Sequence, residues 1–154
     1  MATSSKVSKA LVFVATGAVG AVVLFFALAW ATFDVSDVRR GSLTYRIAAP
    51  ASLKSVELVG ECRAATARWK GRDGEGAPFS VVSYGSSLPS EDILDFYRAT
   101  FTKQRCQPDL TINASESRNL LAMACNHPDF VSVKVVVGAT GACKDVDVEF
   151  IESY

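Results

Sequence analysis

Few residues in this chain have the types and spacing for chemistry, and most of those point to structural work. His127 is the only histidine, so a Ser-His-Asp or Cys-His site would have to use it. It stands in Cys125-Asn126-His127-Pro128-Asp129, a tight loop between two apolar runs. Asp129 could orient the ring, but no serine or thiol is placed as the nucleophile that such a base requires. A turn histidine is the expected role. Four cysteines, Cys62, Cys106, Cys125 and Cys143, form no C-x-x-C pair, so neither a zinc site nor a thioredoxin-like motif is indicated. An even number in a small domain favours disulfides and an oxidising compartment. Oxidised thiols and a single histidine leave no donor set for zinc.

The carboxylates have bland readings too. Glu91, Asp92 and Asp95 cluster where a helix starts, which suits the positive end of its dipole. Asp145, Asp147 and Glu149 alternate along a strand; a weak cation site is conceivable there, but a solvated sheet face is the expectation. Gly71–Gly76 lacks the spacing and the Lys-Ser/Thr pair of a phosphate loop and reads as a hairpin turn. Asn113-Ala114-Ser115 matches a glycosylation acceptor, meaningful only in a eukaryotic secretory pathway. The expectation is a protein that is not an enzyme, with no catalytic, cofactor-binding or metal-binding residue.

The elements that position these residues follow from periodicity. Val56, Leu58, Gly60 and Cys62 alternate with Glu57, Glu61 and Arg63, and Ala65, Ala67 and Trp69 continue the pattern as a half-buried strand. Phe79–Tyr84 returns across the glycine-rich tip. Ser90–Arg105 is the clearest helix of this region: Ser90 can cap, Lys103 and Arg105 suit the negative end, and Ile93, Leu94, Tyr97 and Phe101 form an apolar stripe with Phe96 beside it. Strands are expected at Asp109–Ile112, Asn119–Cys125, Phe130–Val137 and Cys143–Ile151. Val131, Val133, Val135 and Val137 are assigned to one face, as are Val146, Val148 and Phe150. The order β-β-α-β-β-β-β implies an α+β fold, with one helix laid on an antiparallel sheet.

Register also ranks the disulfides. If the turn Asn113–Arg118 is symmetric, Cys106 stands directly opposite Cys125 at a bridgeable distance. Cys125 and Cys143 lie at opposite ends of an up-and-down meander. The predicted pairs are therefore Cys106–Cys125 and Cys62–Cys143.

Ahead of this domain, Ala10–Phe33 is a run of 24 residues without a charge. At about 1.5 Å per residue a helix of that length spans roughly 36 Å, against about 30 Å for a hydrocarbon core. Ala27-Leu28-Ala29 and Ala29-Trp30-Ala31 resemble signal-cleavage sites, but the apolar stretch exceeds the usual signal core, which favours an uncleaved anchor. Trp30 and Phe33 suit an interfacial belt. Lys6 and Lys9 on one side nearly balance Arg39, Arg40 and Arg46 on the other, so the cysteines supply the direction: N-terminus in the cytoplasm, domain outside. The expected layout is a cytoplasmic tail 1–9, a transmembrane helix 10–33, a connector 34–52 with a short extended piece at Ser42–Ile47, and an extracytoplasmic α+β domain 53–154.

With Lys6 and Lys9 set aside, residues 34–154 hold 14 Lys+Arg against 16 Asp+Glu, a net charge of −2. That lacks the basic face nucleic acid requires. In general design the chain resembles small bacterial envelope proteins, and Leu88–Tyr97 is similar to helix starts in many exported proteins. The reading that follows is a single-pass membrane protein whose disulfide-stapled domain is a non-catalytic interaction or assembly module, its partners the membrane and another membrane or envelope protein. The alternative is a small-ligand or lipid-binding domain using a helix–sheet groove at Trp69, Phe96 and Tyr97.

Overall fold

The structure, a computed structural model, describes residues 16–27, 33–72, 74, 76–109, 119–138 and 141–153. It divides into two compact units, Met1–Phe33 and Asp34–Tyr154. In the first, α1 covers residues 16–27, and Val19, Val22, Val23, Leu24, Phe25 and Phe26 along it are exposed. Among the described residues no helix is long and apolar enough to cross a membrane. Residues 10–15 and 28–32 of the expected transmembrane helix lie outside them.

Among the described residues, the second unit is a seven-stranded, wholly antiparallel sheet with three helices. Its elements run β1 (Asp34–Arg39), α2 (Leu43–Ala48), α3 (Ala51–Ser55), β2 (Glu61–Lys70), β3 (Phe79–Ser86), α4 (Ser90–Lys103), β4 (Cys106–Pro108), β5 (Leu120–Cys125), β6 (Phe130–Val137) and β7 (Lys144–Glu152). The spatial order is β1-β2-β3-β7-β6-β5-β4. Two local meanders thus meet along β3 and β7, where Ser80 faces Phe150, Val82 faces Val148 and Tyr84 faces Val146.

Alternation assigns the faces, as expected of an antiparallel sheet with one wet side. Ala65, Ala67 and Trp69, Val82 and Tyr84, Val133, Val135 and Val137, and Val146, Val148 and Phe150 all point into one core. On α4, Ile93, Leu94, Tyr97 and Phe101 are the buried positions, the stripe the sequence predicted, and the helix packs against β4, β5 and β6. Tyr97 stacks on Phe101 at 5.8 Å, and Phe101 meets Phe130 and Phe150 edge-on. Such offset and edge contacts favour a fixed aromatic arrangement.

Both predicted disulfides are present, Cys62–Cys143 and Cys106–Cys125. Cys106 pairs with Cys125, Gln107 with Ala124 and Pro108 with Met123, the register inferred from a symmetric turn. Residues 110–118, including the Asn113-Ala114-Ser115 acceptor, lie outside the described residues.

Several expectations are corrected. The connector 34–52 is part of the folded unit, supplying edge strand β1, helix α2 and the start of α3. Ser42–Ile47 is not extended: the Ser42 hydroxyl accepts from the Tyr45 amide at 3.2 Å and caps α2. Of Leu43, Tyr45 and Ile47, which an extended Ser42–Ile47 would place on one side, only Tyr45 is buried. The first long strand begins at Glu61 rather than Val56. Residues 56–60 form an irregular strap whose carbonyls are taken by the core and the loop beyond β3. Arg40 Nη2 donates to Val56 O at 2.5 Å, Tyr97 Oη to Glu57 O at 3.0 Å, Ser86 Oγ to Val59 O at 2.8 Å and the Ser87 amide to Gly60 O at 2.8 Å. Backbone groups denied a ladder find partners elsewhere. Gly60 closes this strap at φ +62°, and a Cβ there would sit 2.6 Å from Leu88 Cγ, so only glycine fits.

Helix α4 is preceded by Pro89 in the cap position without a side-chain cap bond, and Ser90 is its first residue. In β6 the register shifts between Phe130 and Ser132. This irregularity turns Phe130 inward and Val131 outward, so Val131 does not join Val133, Val135 and Val137.

Candidate functional site

Among the described residues the three helices of this unit pack on one face of the sheet, and the other face carries a row of charged and polar side chains around buried Val81. On that face β7 presents Asp145, Asp147 and Glu149, the acidic row expected from the sequence. β3 on one side contributes Ser83, with Arg63 and Thr66 beyond it on β2, and β6 on the other side places Lys134 opposite Glu149. The Arg63 guanidinium is ion-paired to the Asp145 carboxylate, and Ser83 Oγ donates to Asp147 Oδ1 at 2.5 Å. Arg68 lies over the Phe79 ring, 5.8 Å from its centroid. Exposed pairs of this sort contribute about 0–1 kcal/mol each to stability. Their consequence is a fixed pattern, an acidic strand paired to Lys134 of β6 on one side and reached by Arg63 of β2 across uncharged β3 on the other. Among the described residues no group of three His, Cys, Asp or Glu is placed to hold a metal ion.

Each sequence-predicted site residue has a definite place. Cys62, Cys143, Cys106 and Cys125 are spent in disulfides and offer no thiolate. Trp69 and Tyr97 are core residues, 4% and 1% exposed, whereas Phe96 is partly exposed and packs against the core from its edge. The three candidate binding-surface residues therefore include one with surface to offer. His127 closes its turn as expected: Nδ1 accepts from the Asp129 amide at 3.2 Å, the ring stacks on Phe130 at 4.4 Å, and the Ser153 hydroxyl donates to its carbonyl. Asp129 Oδ2 is 3.8 Å from Nδ1, too far for a triad hydrogen bond. Arg40, one of the charges flanking the apolar run, donates to Val56 O.

Two buried polar clusters were not foreseen. At one end of the core, Ser52 Oγ donates to Glu152 Oε1 at 2.5 Å, Ser80 Oγ donates to the same oxygen, and the two hydroxyls lie 3.1 Å apart. Burial pushes the Glu152 carboxyl above its ordinary value, although the two hydroxyls pull it back. A carboxylate beside serine hydroxyls has the parts of a base and a nucleophile. Yet Ser52 and Ser80 are fully buried, so nothing can reach them. The cluster bolts α3 to β3 and β7.

The second cluster is a hydroxyl relay. Tyr97 Oη donates to Glu57 O, and Tyr84 Oη lies 2.9 Å from Tyr97 Oη. Because Tyr97 has one proton and spends it on the carbonyl, Tyr84 is the donor to Tyr97. Burial raises the pKa of both phenols, which keeps them neutral. The sequence signals were slight: Ser80 is a polar residue in an inward register position, and both tyrosines sit among apolar neighbours.

Compared with protein families, curated proteins and solved structures, the chain matches none.

Proposed function

We propose that this chain is a single-pass membrane-anchored protein whose disulfide-stapled α+β domain lies on the extracytoplasmic side. There it serves as a non-catalytic interaction or assembly module for another membrane or envelope protein. The observation that carries the reading is the one-sided sheet. Its helices share a single core, and the other face presents Asp145, Asp147 and Glu149, with Lys134 of β6 beside them and Arg63 of β2 reaching them across uncharged β3. A broad patterned face suits recognition of a complementary protein surface, where charge sets specificity and encounter rate. The anchor is supported by the uncharged run Ala10–Phe33 and by the exposed apolar side chains of α1. The oxidising side is supported by the two disulfides.

The test is capture of native complexes from cross-linked, solubilised membranes, with Asp147→Lys/Glu149→Lys as the comparison. A specific co-purifying protein that is lost with the variant is the expected result. Elution of both proteins as free monomers would overturn the reading. Thiol labelling of intact cells, before and after reduction, tests the side on which the cysteines lie.

A further inference from the structure

We propose that α2 and its flanks form a basic, apolar-tipped footing that rests on the headgroup layer of an anionic bilayer, the same membrane that holds the tether. This rests on the anchoring reading above. Between Val38 and Val56 there are four cations, Arg39, Arg40, Arg46 and Lys54, and not one Asp or Glu. The rest of residues 34–154 holds 10 Lys+Arg against 16 Asp+Glu. Positive charge in a net acidic domain is thus concentrated in residues 39–55, with Asp34 and Asp37 before them and Glu57 after.

The structure gives that stretch a surface. Leu43 and Ile47 are 72% and 73% exposed, well above Val131 and Val136, the other exposed large apolar side chains among the described residues of this unit. They stand at i and i+4, so they share one face of α2. The opposite side of α2 is fixed to the domain by buried Tyr45, whose hydroxyl donates to Leu53 O at 2.6 Å. Arg46 is exposed beside the pair, Arg39 precedes it on β1, and Lys54 is exposed on α3. Arg40 is excluded from the footing by its bond to Val56 O.

Apolar side chains ringed by cations are the composition of a segment lying in the interface of an anionic membrane. The tether read from Ala10–Phe33 supplies a bilayer to this chain itself, and the positive residues 39–55 complement an anionic one.

The experiment uses the full chain in nanodiscs of phosphatidylcholine alone or mixed with phosphatidylglycerol, with Ile47 replaced by p-benzoylphenylalanine. Illumination is expected to add the mass of one phospholipid at position 47, several-fold more in the anionic discs. The same probe at Val136, on the open sheet face, is expected to add none. Arg39→Gln/Arg46→Gln/Lys54→Gln should abolish the preference for anionic discs. A chain that remains in the disc but gives no lipid adduct at position 47, or one cross-linked only to protein, overturns the footing and spares the anchor. A chain that does not stay with the discs overturns both.

Discussion

Gly85 offers the sharpest test of the packing. It lies in β3 on the open face, between Arg63 of β2 and the Cys62–Cys143 bridge. A Cβ built at this position would stand 2.7 Å from Arg63 Cβ and 3.3 Å from Arg63 N, and would overlap Cys143 Sγ. Neither obstacle is the free end of a flexible chain: one is the first carbon of a side chain on a paired strand, the other a sulfur held in a disulfide. Gly85→Ala should therefore act as an overpacking substitution, costing about 1–3 kcal/mol. The cost is read from urea unfolding of the oxidised full chain in mild detergent, followed by the fluorescence of buried Trp69. Repeating it in a Cys62→Ala/Cys143→Ala background removes the sulfur. The penalty should then fall by at least about 0.5 kcal/mol, the coupling expected of touching groups. If Gly85→Ala lies within about 0.5 kcal/mol of the parent, the close approach is not real. An equal penalty in both backgrounds would refute the role given to the disulfide.

Three further outcomes concern the buried polar groups and the disulfides. Tyr97→Phe strands both the Tyr84 hydroxyl and Glu57 O, and should cost about 1–3 kcal/mol; Tyr84→Phe leaves the Tyr97–Glu57 bond in place and should cost less in the same unfolding assay. Because burial raises the Glu152 carboxyl in the folded state, the folded protein holds that proton more tightly than the unfolded chain does. Stability should fall as pH rises from about 4.5 through the raised folded value and recover on acidification, and Glu152→Gln should flatten that slope of unfolding free energy against pH. The disulfides should rank by loop length. Their sequence separations are 81 and 19, so Cys62→Ala/Cys143→Ala should cost up to about 4.5 kcal/mol and Cys106→Ala/Cys125→Ala up to about 3 kcal/mol, measured by denaturant midpoints of each pair.

What was legible in the sequence is what simple periods encode. The α4 stripe, the β7 alternation and the Cys106–Cys125 register all depend on residues keeping a constant repeat, and they do. The errors fall where the repeat is broken by one residue or borrowed by another element. The shift after Phe130 reverses the phase of Val131, and nothing in Phe-Val-Ser-Val marks it. Leu43, Tyr45 and Ile47 have strand spacing over too few residues to separate period 2 from a short capped helix. β1 was missed because it is a polar edge strand that departs from alternation at Asp37, where φ is +56°. The Ser52–Ser80–Glu152 cluster uses residue types that are ordinarily on the surface; only a folded register turns them inward.

The joining of the two meanders along β3 and β7 also governs how the domain can be assembled. A chain made from its N-terminal end produces β1, β2 and β3 as neighbours, and then β4, β5 and β6, each next to the strand just completed. β7 comes last and belongs in the middle, between strands already formed. Cys106 and Cys125 are both available before it arrives, whereas Cys62 must wait for Cys143 through the synthesis of most of the domain. The short-range bridge can close early, and the long-range one serves as a lock turned at completion. Loss of β7 would accordingly leave two separate half-sheets with unpaired inner edges, not a smaller version of the same domain.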